Sequence, residues 1–385
     1  MALQHNHALR AAETTIAQNE AQEVTAGLRP NPVLSWDAQF LPLFHPSDFS
    51  SDYINNSAQF DVGLGYLFEL GNKRDHRMKA ARDQTSVTRS QVADNERALT
   101  FNVAQQFVGA LLAESDMQFA EEALKSFQYT VDISEIRYKA GDMSEGDLLK
   151  IKLQLLQFQM DVSSARLAKV QALAALRQLL GHDAVAPEYD VVGELRHEDL
   201  TVGRQELDKM AIDGRPDLLA AKLSVAAADS QFTLAKANSW RDLTASFNYT
   251  HAAGTSTGAF FFNIPIPLFD RNQGEVARTK VAITQAQETL QEASETVLTD
   301  VTNAYESLQT NVQIVQLYQS AYLQQAQASR DIAEYAYKRG AASLLDFLDA
   351  ERSYRSVQLA YRQALASDML ALEQLREAVG TRKLP

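Results

Sequence analysis

The motifs Tyr138-Lys-Ala-Gly141 and Tyr337-Lys-Arg-Gly340 each precede a long segment in which apolar residues recur at alternating steps of three and four. Such spacing predicts a helix with one buried face. The apolar positions are Leu148, Ile151, Leu155, Phe158, Val162, Ala165, Ala172, Leu176 and Leu179 in the first segment, and Phe347, Ala350, Tyr354, Val357, Tyr361, Ala364, Ala371, Leu375 and Ala378 in the second. Each residue of the second set lies 199 positions after its counterpart, as does the second motif. A period this long indicates a duplicated half-molecule rather than a short solenoid repeat.

The two apolar stripes are also interrupted at the same place, by Lys169 in the first copy and Asp368 in the second. One interpretation is a buried pair between helices that fixes their register. The other is a pair of solvated side chains at the edge of the stripe, with their stems on apolar surface. The sequence favours the solvated interpretation.

Alternation of apolar and polar residues predicts four strands, at about 32–42, 58–70, 242–251 and 258–267. One face of these strands carries the aromatic residues Phe60, Phe68, Phe247, Phe260 and Phe262. Small closed barrels need about eight strands, so four strands cannot close alone. Three copies would supply twelve, and an outward apolar face requires lipid or a partner. The alternative, the inner face of a soluble sheet, is less favoured because long helices offer it little cover.

From Lys73 to Arg137 no proline interrupts the sequence, which predicts one helix of about 65 residues, roughly 100 Å long. A second helix runs back to about Leu180, and the same order follows in the other half. We therefore expect a first repeat at 1–190, a connector at 191–214 and a second repeat at 215–385. Each repeat contains a leading helix, two strands and a long antiparallel hairpin, at 73–180 and 273–380. The predicted class is mainly α, with duplicated β-β-α-α halves.

Composition excludes several functions. The formal net charge of −13 argues against a nucleic-acid partner, which requires a basic face. There is no cysteine, and the seven histidines are scattered without the spacing of metal ligands. No triad, phosphate loop or carboxylate pair indicates an enzyme. The sequence thus predicts neither a cofactor nor a resident metal, and no apolar run reaches the length of about 18 residues of a transmembrane helix.

Several motifs, taken in their order and with the duplicated tips, resemble the TolC-type outer-membrane efflux proteins along nearly the whole chain. Within that family the resemblance is to the CzcC-like (cobalt–zinc–cadmium) heavy-metal branch. The motifs are Arg29-Pro-Asn-Pro32, Glu69-Leu-Gly-Asn-Lys-Arg74, Arg215-Pro-Asp-Leu218 and Ile264-Pro-Ile-Pro-Leu-Phe-Asp-Arg-Asn-Gln-Gly274. The last of them indicates the metal branch.

The resemblance implies a homotrimer in the Gram-negative outer membrane. Its twelve strands would form a barrel facing outer-membrane lipid, and its helices would form an α-helical tunnel across the periplasm. A periplasmic adaptor (membrane fusion) protein and an inner-membrane RND-type pump would be its partners, and heavy-metal cations its cargo. The alternatives are a drug-efflux or type I secretion channel of the same family, and a soluble periplasmic coiled-coil adaptor or scaffold. An adaptor has one hairpin rather than a duplicated unit.

Two features of the family, a signal peptide and a lipidation cysteine, are not found. By the repeat, Asn6-His-Ala-Leu9 aligns with Arg215-Pro-Asp-Leu218, which has a helical lead-in at about 200–212. The first half has almost nothing before the aligned position. We therefore expect a clipped or mis-started N-terminus.

The resemblance also assigns residues to the periplasmic mouth. Asp346 and Asp349 would form acidic rings facing the permeant, and Asp147, Tyr138 and Tyr337 would help to hold the mouth closed. The tip residues Gly141, Ser144, Gly340 and Ser343 would contact the adaptor. A simpler interpretation is that Asp147 and Asp346 favour the positive end of their helices. Some members carry an arginine at the second tip, where this chain has Ala341-Ala342, so an ion-pair lock is not expected there.

Overall fold

In the computed structural model, which describes residues 1–384, the order strand–strand–long helix–long helix occurs twice. The helices are α1 (Ala2–His5), α2 (His7–Gly27), α3 (Ser51–Asn56), α4 (Lys73–Ala140), α5 (Glu145–Leu180), α6 (Arg204–Gly214), α7 (Pro216–Asn238), α8 (Gln273–Leu317), α9 (Leu323–Lys338) and α10 (Leu344–Val379). The strands are β1 (Val33–Gln39), β2 (Gln59–Phe68), β3 (Leu243–Ala252) and β4 (Thr255–Asn263). Among the described residues, no helix is both long and apolar enough to cross a membrane.

The chain divides into two compact units. The helical unit comprises Met1–Glu13, Val92–Leu218 and Ser294–Pro385, and the sheet unit comprises Thr14–Gln91 and Leu219–Ala293. Each unit contains segments of both sequence halves, so the duplicated halves are not separate compact bodies.

The sheet unit holds one antiparallel sheet with strand order β1-β2-β3-β4. Its register places mostly apolar side chains on one face and mostly polar side chains on the other, as period-two alternation predicts, with Val33 and Phe261 as apolar residues on the polar face. One apolar row is Leu34, Leu64, Phe247 and Phe260, and one polar row is Asp37, Asp61, Thr250 and Thr257. In residues 1–384, no strand pairs with the outer edge of β1 or of β4.

The hairpin between β3 and β4 is tighter than the alternation predicts. Its two turn residues, Ala253 and Gly254, have φ values of 50° and 73°. Two consecutive positive φ values are the signature of a type I′ turn, whose twist matches that of paired strands. The fourth strand therefore begins earlier, at Thr255, and ends at Asn263, before the two prolines that follow it.

The core of the helical unit forms where the two predicted stripes meet. Phe158 of α5 and Phe347 of α10 are both buried and flank Phe127 of α4. The ring centroids of Phe127 and Phe158 are 4.5 Å apart, and those of Phe127 and Phe347 are 6.4 Å apart, with nearly parallel planes in both pairs. The stripes are thus the helix faces that hold the two hairpins together.

The first long helix of the hairpin predicted at 273–380 is interrupted by a π-helical turn, Tyr318–Tyr322. A π turn contains one residue more than an α turn and shifts the side chains that follow it. Here Tyr318 approaches Tyr361 of α10, with ring centroids 6.0 Å apart, and Gln319 donates to the Tyr361 hydroxyl over 3.1 Å. Helix periodicity predicts this segment as helix and does not reveal the extra residue.

A buried arginine joins the start of α7 to its neighbours. Arg215 donates two hydrogen bonds to Asp217, one of 2.9 Å to Asp300 of α8 and one of 3.2 Å to the Ala378 carbonyl of α10. Only 3% of its side chain is exposed. The Arg-Pro-Asp-Leu motif of the sequence therefore has a structural role, because its arginine links three helices.

Replacing Arg215 with Met should lower the free energy of unfolding by about 3 kcal/mol, since it leaves two carboxylates without their guanidinium partner. Arg204→Met is the matched control, because Arg204 is half exposed and donates to Thr302, and its loss should cost less than about 1 kcal/mol. Chemical denaturation measures both. Equal losses would show that the buried network contributes nothing beyond a surface arginine.

Candidate functional site at the helix tips

The two hairpin tips are built in the same way. Gly141 and Gly340 end α4 and α9 with φ values of 84° and 71°, a region that glycine adopts without strain. Asp142 donates its backbone N–H to the Arg137 carbonyl, and Ala341 does the same to the Ala336 carbonyl, each over 2.9 Å. These bonds close both helices in a Schellman arrangement. The duplicated glycines therefore have a conformational reason.

The next helix at each tip begins at a serine. Ser144 Oγ accepts the Asp147 backbone N–H over 3.1 Å, and Ser343 Oγ accepts that of Asp346 over 3.2 Å. At the second tip Asp346 also accepts the Ser343 backbone N–H over 3.2 Å, which completes a capping box. The hydrogen bond from Ser144, with help from Lys150, lowers the pKa of Asp147. Both aspartates thus lie in the first turn of their helices, where the simpler interpretation places them, and the Asp346 side chain also takes part in the cap.

Asp349 lies one turn beyond Asp346 on the same face of α10, and both residues are exposed. The Asp349 carboxylate is 4.0 Å from the Arg352 guanidinium, a contact between two highly exposed side chains. Such a pair is worth little energetically. The structure therefore brings Asp346 and Asp349 together as an exposed acidic face near the second tip.

The two tip tyrosines differ in environment. Tyr138 is 40% exposed, whereas Tyr337 is 5% exposed and stacks on Phe347 with a centroid separation of 5.3 Å. Arg137 donates to the Tyr337 carbonyl over 3.1 Å, and its guanidinium lies 5.4 Å from the centre of the Tyr337 ring. Within one chain, Tyr337 therefore belongs to the core that joins α4, α9 and α10. Tyr138 lies at the surface.

The solvated interpretation of the stripe interruptions is wrong. Asp368 is 2% exposed and accepts from His197 Nδ1 over 2.8 Å. Lys169 is largely buried, pairs with Glu114 of α4 and reaches Asp190 over 2.7 Å. Lys169 and Asp368 therefore contact different partners, and both hold residues of the segment between the sequence halves.

An arginine that the sequence did not single out crosses the helical unit near the second tip. Arg330 of α9 donates to Glu351 of α10 over 3.1 Å and to Ser126 of α4 over 3.2 Å. Burial opposes its charge, but hydrogen bonds to Asp331 and Glu351 outweigh burial and raise its pKa. Glu351 is itself buried. The sequence around Arg330 does not predict these contacts, because Glu351 and Ser126 lie in other helices.

No group of three or more His, Cys, Asp or Glu side chains in residues 1–384 is arranged to hold a metal ion. The tips instead offer exposed carboxylates on a rigid, capped helix start. Such a surface can attract cations electrostatically without binding them tightly.

Comparison with known families gives the class of the protein. The model of the outer membrane efflux protein family matches residues 1–182 and 207–381. The chain belongs to this family, which confirms the resemblance drawn from its motifs. It is an outer-membrane channel component of tripartite efflux, reaching into the periplasm, and a passive conduit rather than an enzyme.

Three relatives are informative. The cation efflux system protein CusC of Escherichia coli is 26% identical, over 91% of this chain and 79% of its own length. The pyoverdine export outer membrane protein OpmQ of Pseudomonas putida is 25% identical, over 99% of this chain and 84% of its own. The cobalt-zinc-cadmium resistance protein CzcC of Cupriavidus metallidurans is 23% identical, over 97% and 87%.

Solved structures agree on the fold. A crystal structure of CusC matches 99% of this chain and 90% of its own, with a TM-score of 0.81 and 21% identity. The open state of the MtrE outer membrane channel of Neisseria gonorrhoeae matches 99% and 87%, with a TM-score of 0.79 and 21% identity. The predicted combination of long helices and a membrane β-barrel portion is thereby confirmed.

Replacing Tyr337 with Ala should lower the free energy of unfolding by about 3 kcal/mol, since removal of a buried aromatic ring costs roughly 3–5 kcal/mol. The same change at Tyr138 should cost less than about 1 kcal/mol, because its ring is partly in solvent. Thermal unfolding followed by circular dichroism distinguishes them. A larger loss at Tyr138 would contradict the placement of the two rings.

Proposed function

We propose that the protein works as a homotrimer that conducts heavy-metal cations from an RND-type inner-membrane pump and a periplasmic adaptor to the exterior. The proposal of a trimer rests on one observation, which is that the four-stranded sheet has two unpaired edges and one exposed apolar face. Unpaired backbone N–H and C=O groups are not tolerated in lipid, so the edges require strands from other copies. Three copies give twelve strands, enough to close a barrel.

The apolar face of the sheet supports contact with outer-membrane lipid. Trp36 and Phe260 are 70% and 74% exposed, and Phe68, Phe247 and Phe262 are also exposed, whereas Phe60 is half-buried. Exposed apolar surface of this extent requires a cover. The opposite face carries Asp37, Asp61 and Thr250, which suit a water-filled interior.

A second unpartnered surface supports assembly in the helical unit. The outer face of α5 carries an exposed apolar seam of Leu149, Leu153, Leu156, Met160, Leu167 and Val170. The steps of three and four that separate most of these residues are those of a coiled-coil seam. The buried stripe of α5 faces its own chain, so the seam is left for a neighbouring copy.

The cation cargo rests on two observations. The relatives CusC and CzcC are described as cation efflux and cobalt-zinc-cadmium resistance proteins. Asp346 and Asp349 would become acidic rings at the mouth of a trimer, beside the adaptor-contact residues Gly141, Ser144, Gly340 and Ser343. Asp147, Tyr138 and Tyr337 would contribute to closure of the mouth. Export of pyoverdine is the second candidate, because the match to OpmQ covers nearly the whole chain at similar identity.

The organisation into two repeats, 1–190 and 215–385, joined by a connector at 191–214 is part of the proposal. The proposal is supported by the recurrence of the tip: both hairpins have a glycine in a positive-φ conformation, a capping serine and an aspartate in the first turn of the next helix. In a trimer, two related hairpins per chain would give a ring of six similar units.

Replacing Leu153 with Asn should weaken trimer association at least about tenfold, because each buried Leu contributes roughly 1.5–3 kcal/mol. Lys150→Asn, at an exposed position off the seam, is the matched control. Sedimentation velocity in detergent measures the distribution of species. An unchanged trimer for Leu153→Asn would remove the seam from the interface.

Replacing Phe247 with Asp should reduce the amount of protein assembled in the outer membrane. A charge on the lipid face costs roughly 2–4 kcal/mol for Arg or Lys at the midplane, and less for Asp. Asn248→Asp places the same side chain on the opposite face and should be tolerated. Membrane fractionation compares the two variants, and equal losses would refute the assignment of the faces.

Replacing both Asp346 and Asp349 with Asn should lower cation selectivity in planar-bilayer recordings and weaken block by multivalent cations. Folding should survive, since each lost helix-end interaction is worth roughly 0.3–1 kcal/mol. Glu145→Gln removes an exposed acid at the first tip and is the control. If the double variant conducts with unchanged selectivity and block, Asp346 has only a capping role and Asp349 has no role in conduction.

A further inference from the structure

The segment between the sequence halves is held at two positions that the duplication makes equivalent. Lys169 of α5 contacts Asp190, and Asp368 of α10, 199 positions later, contacts His197. We call residues 190–199 the strap. The strap has neither helix nor strand, so side-chain contacts fix its position.

The strap crosses the four long helices of the helical unit. Leu195 packs on a cluster formed by Val315 of α8 and Leu365 of α10, beside Tyr318 of the π turn. Gly193 lies against Leu111 of α4, where a Cβ atom at the glycine would come within 3.4 Å of the leucine side chain. With the contact at Lys169 of α5, the strap therefore contacts α4, α5, α8 and α10. A movement of the strap would alter contacts with all four helices.

The contact at Asp368 depends on a charge. Asp368 is buried, and its second oxygen, Oδ1, has no hydrogen-bond partner within the described residues. A buried carboxylate with one unsatisfied oxygen is costly unless an opposite charge faces it. Protonated His197 supplies that charge through Nδ1, and its Nε2 lies 3.1 Å from Asp199.

Other charged groups around this contact are already paired. On α10, Arg376 bonds Glu373 and lies 3.4 Å from Glu198 of the strap. On the strap itself, Arg196 lies 2.8 Å from Glu198. Asp368 and Asp199 are therefore the charges that face the His197 ring directly, and both favour its protonated form.

We propose that the strap clamps the long helices together and that the His197–Asp368 contact is a proton-dependent latch, which loosens as the pH rises. Loss of the imidazolium proton to solvent leaves a neutral ring against a buried carboxylate. The contact at Lys169 has no such dependence near neutrality. One end of the strap is therefore fixed, and the other responds to the pH of the periplasm.

The direction of the pH dependence follows from the pKa shifts of both residues in the contact. The hydrogen bond to Asp368 raises the pKa of His197 above 6.5, although burial opposes this. Burial raises the pKa of Asp368 above 3.8, although His197 opposes this. The latched strap thus holds a proton more tightly than the released strap. Its contribution to stability is complete below pH 6.5 and is lost as the pH rises through the raised pKa of His197.

Hydrogen–deuterium exchange of the full chain in detergent, from about pH 6 to pH 9, tests the latch. After correction for the intrinsic exchange rate, the strap amides at 195–199 should exchange several-fold faster at high pH, above all that of Arg196, whose N–H donates to Met369 Sδ of α10 over 3.4 Å. Amides near Asp190 should show no such change. The pKa of Lys169 is raised from 10.5 and that of Asp190 lowered from 3.8, so neither titrates in this range.

Two variants separate the latch from general destabilisation. His197→Asn keeps a donor near Nδ1 but cannot titrate, and Asp368→Asn removes the buried charge. Both should abolish the pH dependence. Lys169→Met should raise exchange near Asp190 equally at every pH and preserve the pH dependence at 195–199. The proposal is overturned if wild-type exchange at 195–199 does not change with pH, or if either asparagine variant retains the change.

Discussion

The unpaired edges of the four-stranded sheet are the constraint on which the rest of the structure depends. A strand edge presents a row of backbone donors and acceptors, and a membrane offers them no water. In this chain β1 and β4 each have one unpaired edge, and the sheet also has an exposed apolar face. The sheet therefore requires both lipid and further strands. Membership of the outer membrane efflux family is consistent with that requirement.

In the helical unit, the long helices must stay in register over many turns. The register is fixed by arginines that connect different helices and by a stacked aromatic core near the tips. Phe127, Phe158 and Phe347 form this core. Arg330 connects three of the helices, and the caps at Ser144 and Ser343 define where two of them begin. Because Arg330, Glu351 and the two helix starts find their partners within the chain, the exposed acids Asp346 and Asp349 are left available for a role outside the single chain.

Much of the fold could be predicted because its signals are local. Period-two alternation located four strands, and glycines such as Gly141 and Gly340 marked helix ends through their own conformational freedom. The π turn at Tyr318–Tyr322 could not be predicted, since helix periodicity does not encode an extra residue, and the alanine of the tight Ala253-Gly254 turn gives no signal of its positive φ. The acidic face of Asp346 and Asp349 followed from spacing, whereas the burial of Tyr337 depended on its contact with Phe347 in another helix.

The interrupted apolar stripes show most clearly which contacts the sequence could not predict. Lys169 and Asp368 were recognisable as equivalent positions, but their partners Asp190 and His197 lie in a segment without regular structure. No periodicity indicates where such a segment runs. Duplication of the helices therefore predicted the position of the charges but not what they hold.

Native mass spectrometry of the protein released from detergent tests the central claim most directly, because the claim is that one chain cannot close its own sheet. The account predicts a dominant species with the mass of three 42.7-kDa chains. A stable single chain that remains soluble without detergent would contradict it, since the open strand edges and the apolar face would then have no cover.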